Sequence, residues 1–264
     1  MNDIIQFAKA AAVNAGDMIV QERKHNSLQR EFKGGHELVT QADLKADALI
    51  TKLIHEAYPN HLILSEELAP DIGDVSSLEQ DLWIVDPIDG TVNYAHGHSQ
   101  SAVSIAHVRN SKIEAGVVYN PFTSEMFWAK AGGGAYLNDS PIEVAQVSDP
   151  RRAIIATGFP YDKATLEPML KRVAQVLREC ADIRRLGSAA LDICWVAAGR
   201  LDGFYESLSL WDFAAAQLIA REAGAQYGHF SEVPAGVDPQ FHCDDILVAN
   251  PALFPCLLEI LQRA

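Results

Sequence analysis

Apolar residues recur at helical spacing from the start of the chain: Ile4, Ala8, Ala11, Ala12, Ala15 and Ile19 fall on one face of a helix. Gly34-Gly35 breaks the chain after it. Thr40 is placed to cap a second helix, whose inward stripe is read as Leu44, Ala48, Leu49, Leu53 and Ile54. That helix stops near Tyr58-Pro59-Asn60, because proline disfavours helical geometry in the residue before it. The period then changes. Residues 61–65 and 82–85 are short apolar runs of buried-strand character. They end on Glu66-Glu67 and on Asp86, with a polar loop at 69–80 between them. Residues 101–108 and 113–119 alternate as strands. Residues 125–131, Gly132-Gly133-Gly134 and 135–137 read as a hairpin.

A seam falls near Val147-Ser148-Asp149-Pro150. Beyond it come a strand at 153–156, a helix around 163–180, an apolar helical segment at 189–199 and a short strand at 204–206. A helix at 212–224 carries Ala215, Leu218, Ile219 and Ala223 inward. A strand at 246–249 and a last helix from Pro251 complete the chain. Strands and helices mix in both halves. The expectation is an α/β (α+β) layered fold in one domain of two lobes, 1–147 and 148–264.

The 264 residues are 48% hydrophobic, enough for a sizeable core, and the formal net charge is -14. The longest basic clusters are pairs and near-pairs, Arg23-Lys24, Arg151-Arg152 and Arg184-Arg185, which read as solvated surface. Direct nucleic-acid binding is therefore not expected. The four cysteines are irregularly spaced without Cys-x-x-Cys, which fits reduced thiols in a cytoplasmic protein. No run of about 18 apolar residues and no targeting pattern is visible, so a soluble protein with no membrane contact is expected.

The acidic excess changes the picture where it clusters. Glu66-Glu67, Asp86-Pro87-Ile88-Asp89-Gly90-Thr91 and Trp211-Asp212 lie at strand ends or helix starts, where ligands bind. Pro87 fixes a backbone angle and Gly90 permits a sharp turn, so Asp86 and Asp89 can aim at one point. Two carboxylates about 4 Å apart repel by roughly 4 kcal/mol at an effective dielectric near 20. A hard cation offsets that cost, and magnesium takes oxygen ligands together with substrate phosphate. Thr91 and the amides after Gly90 are placed to receive that phosphate. Asp-Pro-x-Asp-Gly alone is ordinary turn chemistry; the separate acidic clusters, with Thr91, Asn93 and Tyr94, carry the cation reading.

Rival motifs are weaker. His96 and His98 read as turn residues beside the site, and the triple glycine lacks the Lys-Ser/Thr of a phosphate loop. Ser188 has no Gly-x-Ser-x-Gly context, and Trp83, Trp128, Trp195 and Trp211 read as core or near-core. A two-carboxylate glycosidase has no need of so many acids.

These residues resemble the inositol monophosphatase family over nearly the whole chain. The strongest match is Trp83-Ile84-Val85-Asp86-Pro87-Ile88-Asp89-Gly90-Thr91-Val92-Asn93-Tyr94. The second is Trp211-Asp212-Phe213-Ala214-Ala215-Ala216, continuing to Glu222-Ala223-Gly224. Val39-Thr40 with Asp43, Ser65-Glu66-Glu67 and Gly187-Ser188-Ala189-Ala190 support it.

The resemblance implies a layered αβαβα sandwich, a homodimer, lithium sensitivity and two to three Mg2+ ions. It implies Glu66, Asp86 and the Ile88 carbonyl at one ion, and Asp86, Asp89 and Asp212 at a second. Glu67 would serve a third, weaker site. Thr91 and Asp43 would orient the attacking water, while Gly90 and Thr91 amides hold phosphate. Gly187, Ser188, Ala189 and Glu206 would face the alcohol. Three departures stand out: Ala216 and Ala225 replace family glycines, and the stretch from Glu206 to Asp212 is one residue shorter.

The expected activity is hydrolysis of a small phosphate monoester, myo-inositol monophosphate foremost, by direct in-line attack of a cation-activated water. Sister substrates are fructose 1,6-bisphosphate, histidinol phosphate, a phosphoadenosine phosphate or a dinucleotide phosphate. A non-catalytic role in a transcription complex is the alternative of another class.

Overall fold

The computed structural model describes residues 4–25, 30–33, 37–160 and 166–264. Gly34-Gly35 and the first residues of the helix expected from 163 lie outside them. The chain opens with α1 (Ile4–His25), a two-stranded ribbon of β1 (Arg30–Lys33) and β2 (Glu37–Thr40), and α2 (Gln41–Ala57). Then follow β3 (Leu62–Ser65), β4 (Leu82–Asp89), α3 (Thr91–His96), β5 (Ala102–Arg109), β6 (Lys112–Asn120), β7 (Glu125–Lys130), β8 (Ala135–Leu137) and β9 (Ser140–Pro141). The remainder is β10 (Ile154–Thr157), α4 (Leu166–Glu179), β11 (Asp182–Arg184), α5 (Ala189–Ala197), β12 (Gly203–Glu206), α6 (Leu210–Glu222), β13 (Gln226–His229), β14 (Ile246–Ala249) and α7 (Phe254–Gln262).

Five layers result. The larger sheet runs β3 to β9 in chain order; its β3–β4 pair is parallel and every other neighbour antiparallel. Successive residues of β4 face opposite ways, as the two-residue strand period requires. Trp83 and Val85 pack with Ala12, Ile19, Ala46 and Ile50 of α1 and α2. Leu82 and Ile84 pack toward the middle layer, α5 and α6. Both faces are buried, which is why this strand reads as an unbroken apolar run. Beyond the middle layer lies the second sheet, ordered β11-β10-β12-β14-β13. Its outer residues Ile155, Tyr205 and Leu247 are covered by α4 and α7 through Val176, Leu257 and Ile260.

α6 lies between two sheets and is buried nearly all round, from Leu210 and Phe213 to Ala220. Its small residues permit close approach. A Cβ added to Gly116 of β6 would lie 2.6 Å from the Ala215 carbonyl oxygen. Ala216, where the family pattern has glycine, is fully buried and accommodated.

The stripe expected for α2 holds at its end, where Ile54 is buried and Leu53 packs against the core, but is out of phase at its start. Leu44 and Ala48 are exposed; Ala42, Asp43, Ala46, Asp47, Ile50 and Ile54 are buried. The cause is the cap. Thr40 and Asp43 exchange hydrogen bonds in a capping box, which turns Asp43 inward and fixes every later position. The helical segment read to 199 ends at Ala197, and the last helix begins at Phe254 rather than Pro251. Before it the Asn250 side chain accepts from the Ala252 and Leu253 amides at 3.0 and 3.1 Å and holds a turn. Of the tryptophans, Trp83 is fully buried and the other three partly so. The ribbon β1–β2 and the short strands β9, β11 and β13 carry too little apolar pattern to be read from sequence. No helix of the described residues is long and apolar enough to cross a membrane.

One partly buried polar cluster, with His107 at its centre, braces the far end of the larger sheet. Asp81 accepts from Arg109 Nε and Nη2 at 2.9 and 2.7 Å, and lies 3.6 Å from His61 Nε2 and 3.4 Å from His107 Nε2. Trp83 Nε1 donates to His61 Nδ1 at 3.1 Å, so neutral His61 carries its proton on Nε2, toward Asp81. A cation would need that lone pair, and Arg109 already holds Asp81. The cluster is therefore a polar brace, in which Arg109 holds Asp81 beside the two neutral imidazoles, rather than a metal centre. Burial pushes His107 down to about 4, with Asp81 opposing. Protonation then favours the unfolded chain, where histidine titrates near 6.5. The contribution is complete above that pH and is lost as pH falls toward 4. Compared with His107→Gln, wild type should lose roughly 2 kcal/mol more unfolding free energy between about pH 7.5 and 5. Urea melts at each pH measure this; a pH-independent difference contradicts the assignment.

Candidate active site

The end of β4 supplies two of the carboxylates. Pro87 lacks the N–H a strand ladder needs, and pairing with β5 shifts between Asp86, opposite Ser104, and Asp89, opposite Ala102. The Ile88 amide instead donates to Asp86 Oδ1 at 2.9 Å. Gly90 then takes φ +87° and starts α3; a Cβ there would lie 2.8 Å from the Gln100 carbonyl and 2.9 Å from that of Gly187. Asp89 accepts from the Ser188 hydroxyl, and from the Ala190 amide at 2.9 Å. Asp212 sits in the first turn of α6, held by the Ser209 amide at 2.9 Å.

Carboxylate oxygens of Asp86, Asp89 and Asp212 all lie within 4.8 Å of one another. Glu66, just past β3, faces Asp86 closely enough to share a hydrogen bond with it. A cavity of about 320 Å³ is lined by Glu66, Asp86, Ile88, Asp89, Thr91 and Asp212 among others. Burial raises Asp86 well above the usual carboxylate range, and the charges of Glu66, Asp89 and Asp212 add to it. Burial likewise raises Asp89 to about 6, against the bonds from Ser188 and Ala190. The donor set is all oxygen, and its mutual repulsion is what a hard divalent cation relieves. These residues fit such an ion.

Behind the cavity, Thr91 Oγ1 lies 3.0 Å from Asp43 Oδ1 and 3.1 Å from the Ile88 carbonyl oxygen. Asp43 also accepts from the Thr40 amide and hydroxyl at 2.8 and 2.6 Å. Burial raises Asp43 to about 6; the Thr40 and Thr91 bonds oppose it, and the charge of Glu67 adds to it. Glu67 thus stands toward Asp43, outside the lining of the carboxylate cavity.

A second cavity adjoins the first and is lined by Asp89, Gly90, Arg185, Gly187, Ser188, Ala189, Asp192, Glu206 and Asp212. Glu206 therefore reaches the same space as Asp212 despite the shortened connection between them. Burial raises its carboxyl to about 8, with Arg185 opposing and Asp212 and Asp89 adding. Two residues here lie outside the sequence reading, and a third gains a role. Arg185, read as solvated surface, lines the cavity, and nothing in its neighbourhood signals this. Asp192 is buried on α5 and raised by burial and by Asp89 and Glu206; an acid inside an apolar helix was the available signal. Asn93 belongs to the motif by sequence, and its contacts give it a role. It donates to the Gln100 and Leu186 carbonyls at 2.8 and 2.7 Å, stapling α3 to the loop that carries Gly187.

The sequence profile of the inositol monophosphatase family matches residues 1–264. The chain belongs to the inositol monophosphatase family. Among curated family members, Nus factor SuhB of Vibrio cholerae is 38% identical over 266 residues, covering 100% of this chain and 97% of that protein. The extragenic suppressor protein suhB of Bartonella henselae superposes with TM-score 0.89 at 36% identity, covering 99% of each chain. SaIMPase-II with inositol monophosphate bound superposes with TM-score 0.82 at 29% identity, over 98% of this chain and 93% of that one. The five-layer architecture is thus that of the family.

The carboxylate cluster makes a stability prediction of unusual sign. In the cation-free protein Asp86→Asn removes repulsion while keeping an acceptor for the Ile88 amide. The melting temperature should rise by a few degrees, while the further rise on adding magnesium is lost. Calorimetry with chelator and with saturating magnesium checks both. A variant that melts lower than wild type in chelator contradicts the repulsion argument.

Proposed function

We propose that this protein hydrolyses small phosphate monoesters with divalent cations, inositol monophosphate foremost. The observation that carries it is the convergence of Asp86, Asp89 and Asp212 beside Thr91 and Asp43. Glu66, Asp86, Asp89, Asp212 and the Ile88 carbonyl would hold magnesium, two to three ions with Glu67 at the outermost. When bound, the cations supply positive charge against the phosphoryl oxygens and acidify the attacking water. The chain does the rest. The Gly90 and Thr91 amides hold the phosphate. Asp43 accepts from Thr91, which fixes the hydroxyl and orients the water for in-line attack. Ser188, Gly187, Ala189 and Glu206 receive the alcohol, where Glu206 takes hydrogen bonds from substrate hydroxyls. SaIMPase-II, solved with inositol monophosphate bound, supports this choice of alcohol. The reading includes two lobes meeting near residue 147, a cytoplasmic homodimer and inhibition by lithium.

A second reading, docking in a transcription complex, is favoured by the name Nus factor carried by the Vibrio cholerae relative. Protein-mediated docking suits a net charge of -14 better than direct contact with RNA. The two readings separate on one variant. Asp89→Asn should lower kcat/KM for phosphate release by roughly 10²–10³-fold and leave a docking role intact.

Phosphate release from a panel of small monoesters, with magnesium and with chelator, tests the proposal. Magnesium-dependent turnover led by inositol monophosphate is expected; release unaffected by chelator contradicts it. Thr91→Ala should cost about 10²-fold in kcat with little change in KM or in magnesium-induced thermal stabilisation. A Thr91→Ala enzyme with wild-type kcat removes that residue from the mechanism.

A further inference from the structure

The two ends of α6 open on different surroundings. Its first turn carries Asp212 into the carboxylate site. Its last turns line a cavity of about 550 Å³ that shares no residue with that site. Nine residues of helix, roughly 13 Å, separate Asp212 from Arg221. Ile113, Ala131, Leu218, Tyr227 and Pro239 give the cavity apolar walls, and Lys112 and Arg221 border it. These walls are tied together. Gln240 Nε2 donates to the Ser111 carbonyl at 3.3 Å, and the Ser111 hydroxyl to the Ser76 carbonyl at 2.6 Å. Buried Gln217 of α6 donates to the Gln240 carbonyl at 2.7 Å.

The charges around this cavity are unequally satisfied. Its two acids already have donors. Glu222 accepts from the Gly132 and Gly134 amides at 2.8 and 2.9 Å, and Asp238 accepts from the Gln240 amide at 2.9 Å. Its two cations do not have matching acceptors. Arg221 holds one long hydrogen bond, from Nη1 to Gln240 Oε1 at 3.4 Å, and neither it nor Lys112 has an ion pair among the described residues. The end of a helix would ordinarily repel an anion through its free carbonyls. Here the Ala220 carbonyl is taken by the Ala225 amide and the Ala223 carbonyl by the Val144 amide. An anion entering the cavity therefore meets unspent positive charge above an apolar floor.

We propose that this cavity is a binding site for a small organic anion, an apolar body ending in a carboxylate or phosphoryl group, held by Arg221 and Lys112. The Arg221 guanidinium matches either head group with two parallel hydrogen bonds, and Lys112 adds a point charge. The body of the ligand covers Ile113, Leu218 and Pro239, which is the apolar burial that small-molecule sites use. A cation would meet two like charges and two acids already in use. The site needs no divalent ion, unlike the carboxylate cluster at the other end of the helix, and it does not depend on the phosphatase reading.

The test is calorimetric titration of the full chain, freed of divalent ions on a chelating resin, with 2-naphthoate and with 2-naphthylphosphonate. Without cations the carboxylate site repels both probes, so binding reports on the second cavity. At least one probe should bind, and the tighter of the two identifies the head group. Neutral 2-naphthamide should bind at least about tenfold more weakly. Arg221→Gln and Lys112→Gln should each raise Kd by about three- to tenfold. Ala131→Trp places an indole at an exposed wall position, keeps both cations and should abolish binding. Melting curves of the variants establish that each is folded. Wild type that binds neither anion overturns the proposal. So does naphthamide that binds as tightly as the acids, or binding that survives both Arg221→Gln and Ala131→Trp.

Discussion

Everything in this structure that bears on chemistry follows from the repulsion between carboxylates held in one small space. Water would separate them, and the fold does not allow it. Each acid is fixed by a donor of its own. The Ile88 amide holds Asp86, Ser188 and the Ala190 amide hold Asp89, and the Ser209 amide holds Asp212. Thr40 holds Asp43. Most of these donors are main-chain groups at turns and helix starts, where amides lack partners within the helix. The cluster is therefore built before any cation arrives, and the energy stored in it is available to bind one.

The layers explain how acids so far apart in the chain meet. β4 ends at one edge of the middle layer, and α5 and α6 begin there, so their first turns face Asp86 and Asp89. The second sheet brings β12 to the same edge and with it Glu206. One sheet and the first turn of α6 supply Asp86, Asp89 and Asp212; the other sheet supplies Glu206 beside them. Close packing on Gly116 holds α6, the helix that carries Asp212, against the larger sheet.

Much of this was legible in the residues. The apolar runs ending in acids gave β3 and β4, and the Pro-x-Asp-Gly turn marked where β4 must stop pairing. The helical stripe of α2 is legible at Leu53 and Ile54 but not at its start, where a capping box sets the phase: Asp43 is buried for its partners and Leu44 is exposed. Short polar strands such as β11 and β13 carry no two-residue pattern of their own and form by pairing with stronger neighbours. Arg185 could not be found at all. Its place at the pocket depends on a loop whose course is set by Asn93, far away in sequence.

The most direct measurement is a crystal of this protein grown with manganese in place of magnesium, with anomalous scattering recorded at the metal edge. The account predicts density bounded by Asp86, Asp89 and Asp212, with a further peak between Glu66 and Asp86. A crystal saturated with the ion, showing no peak among these carboxylates or showing them turned to separate places, would contradict it.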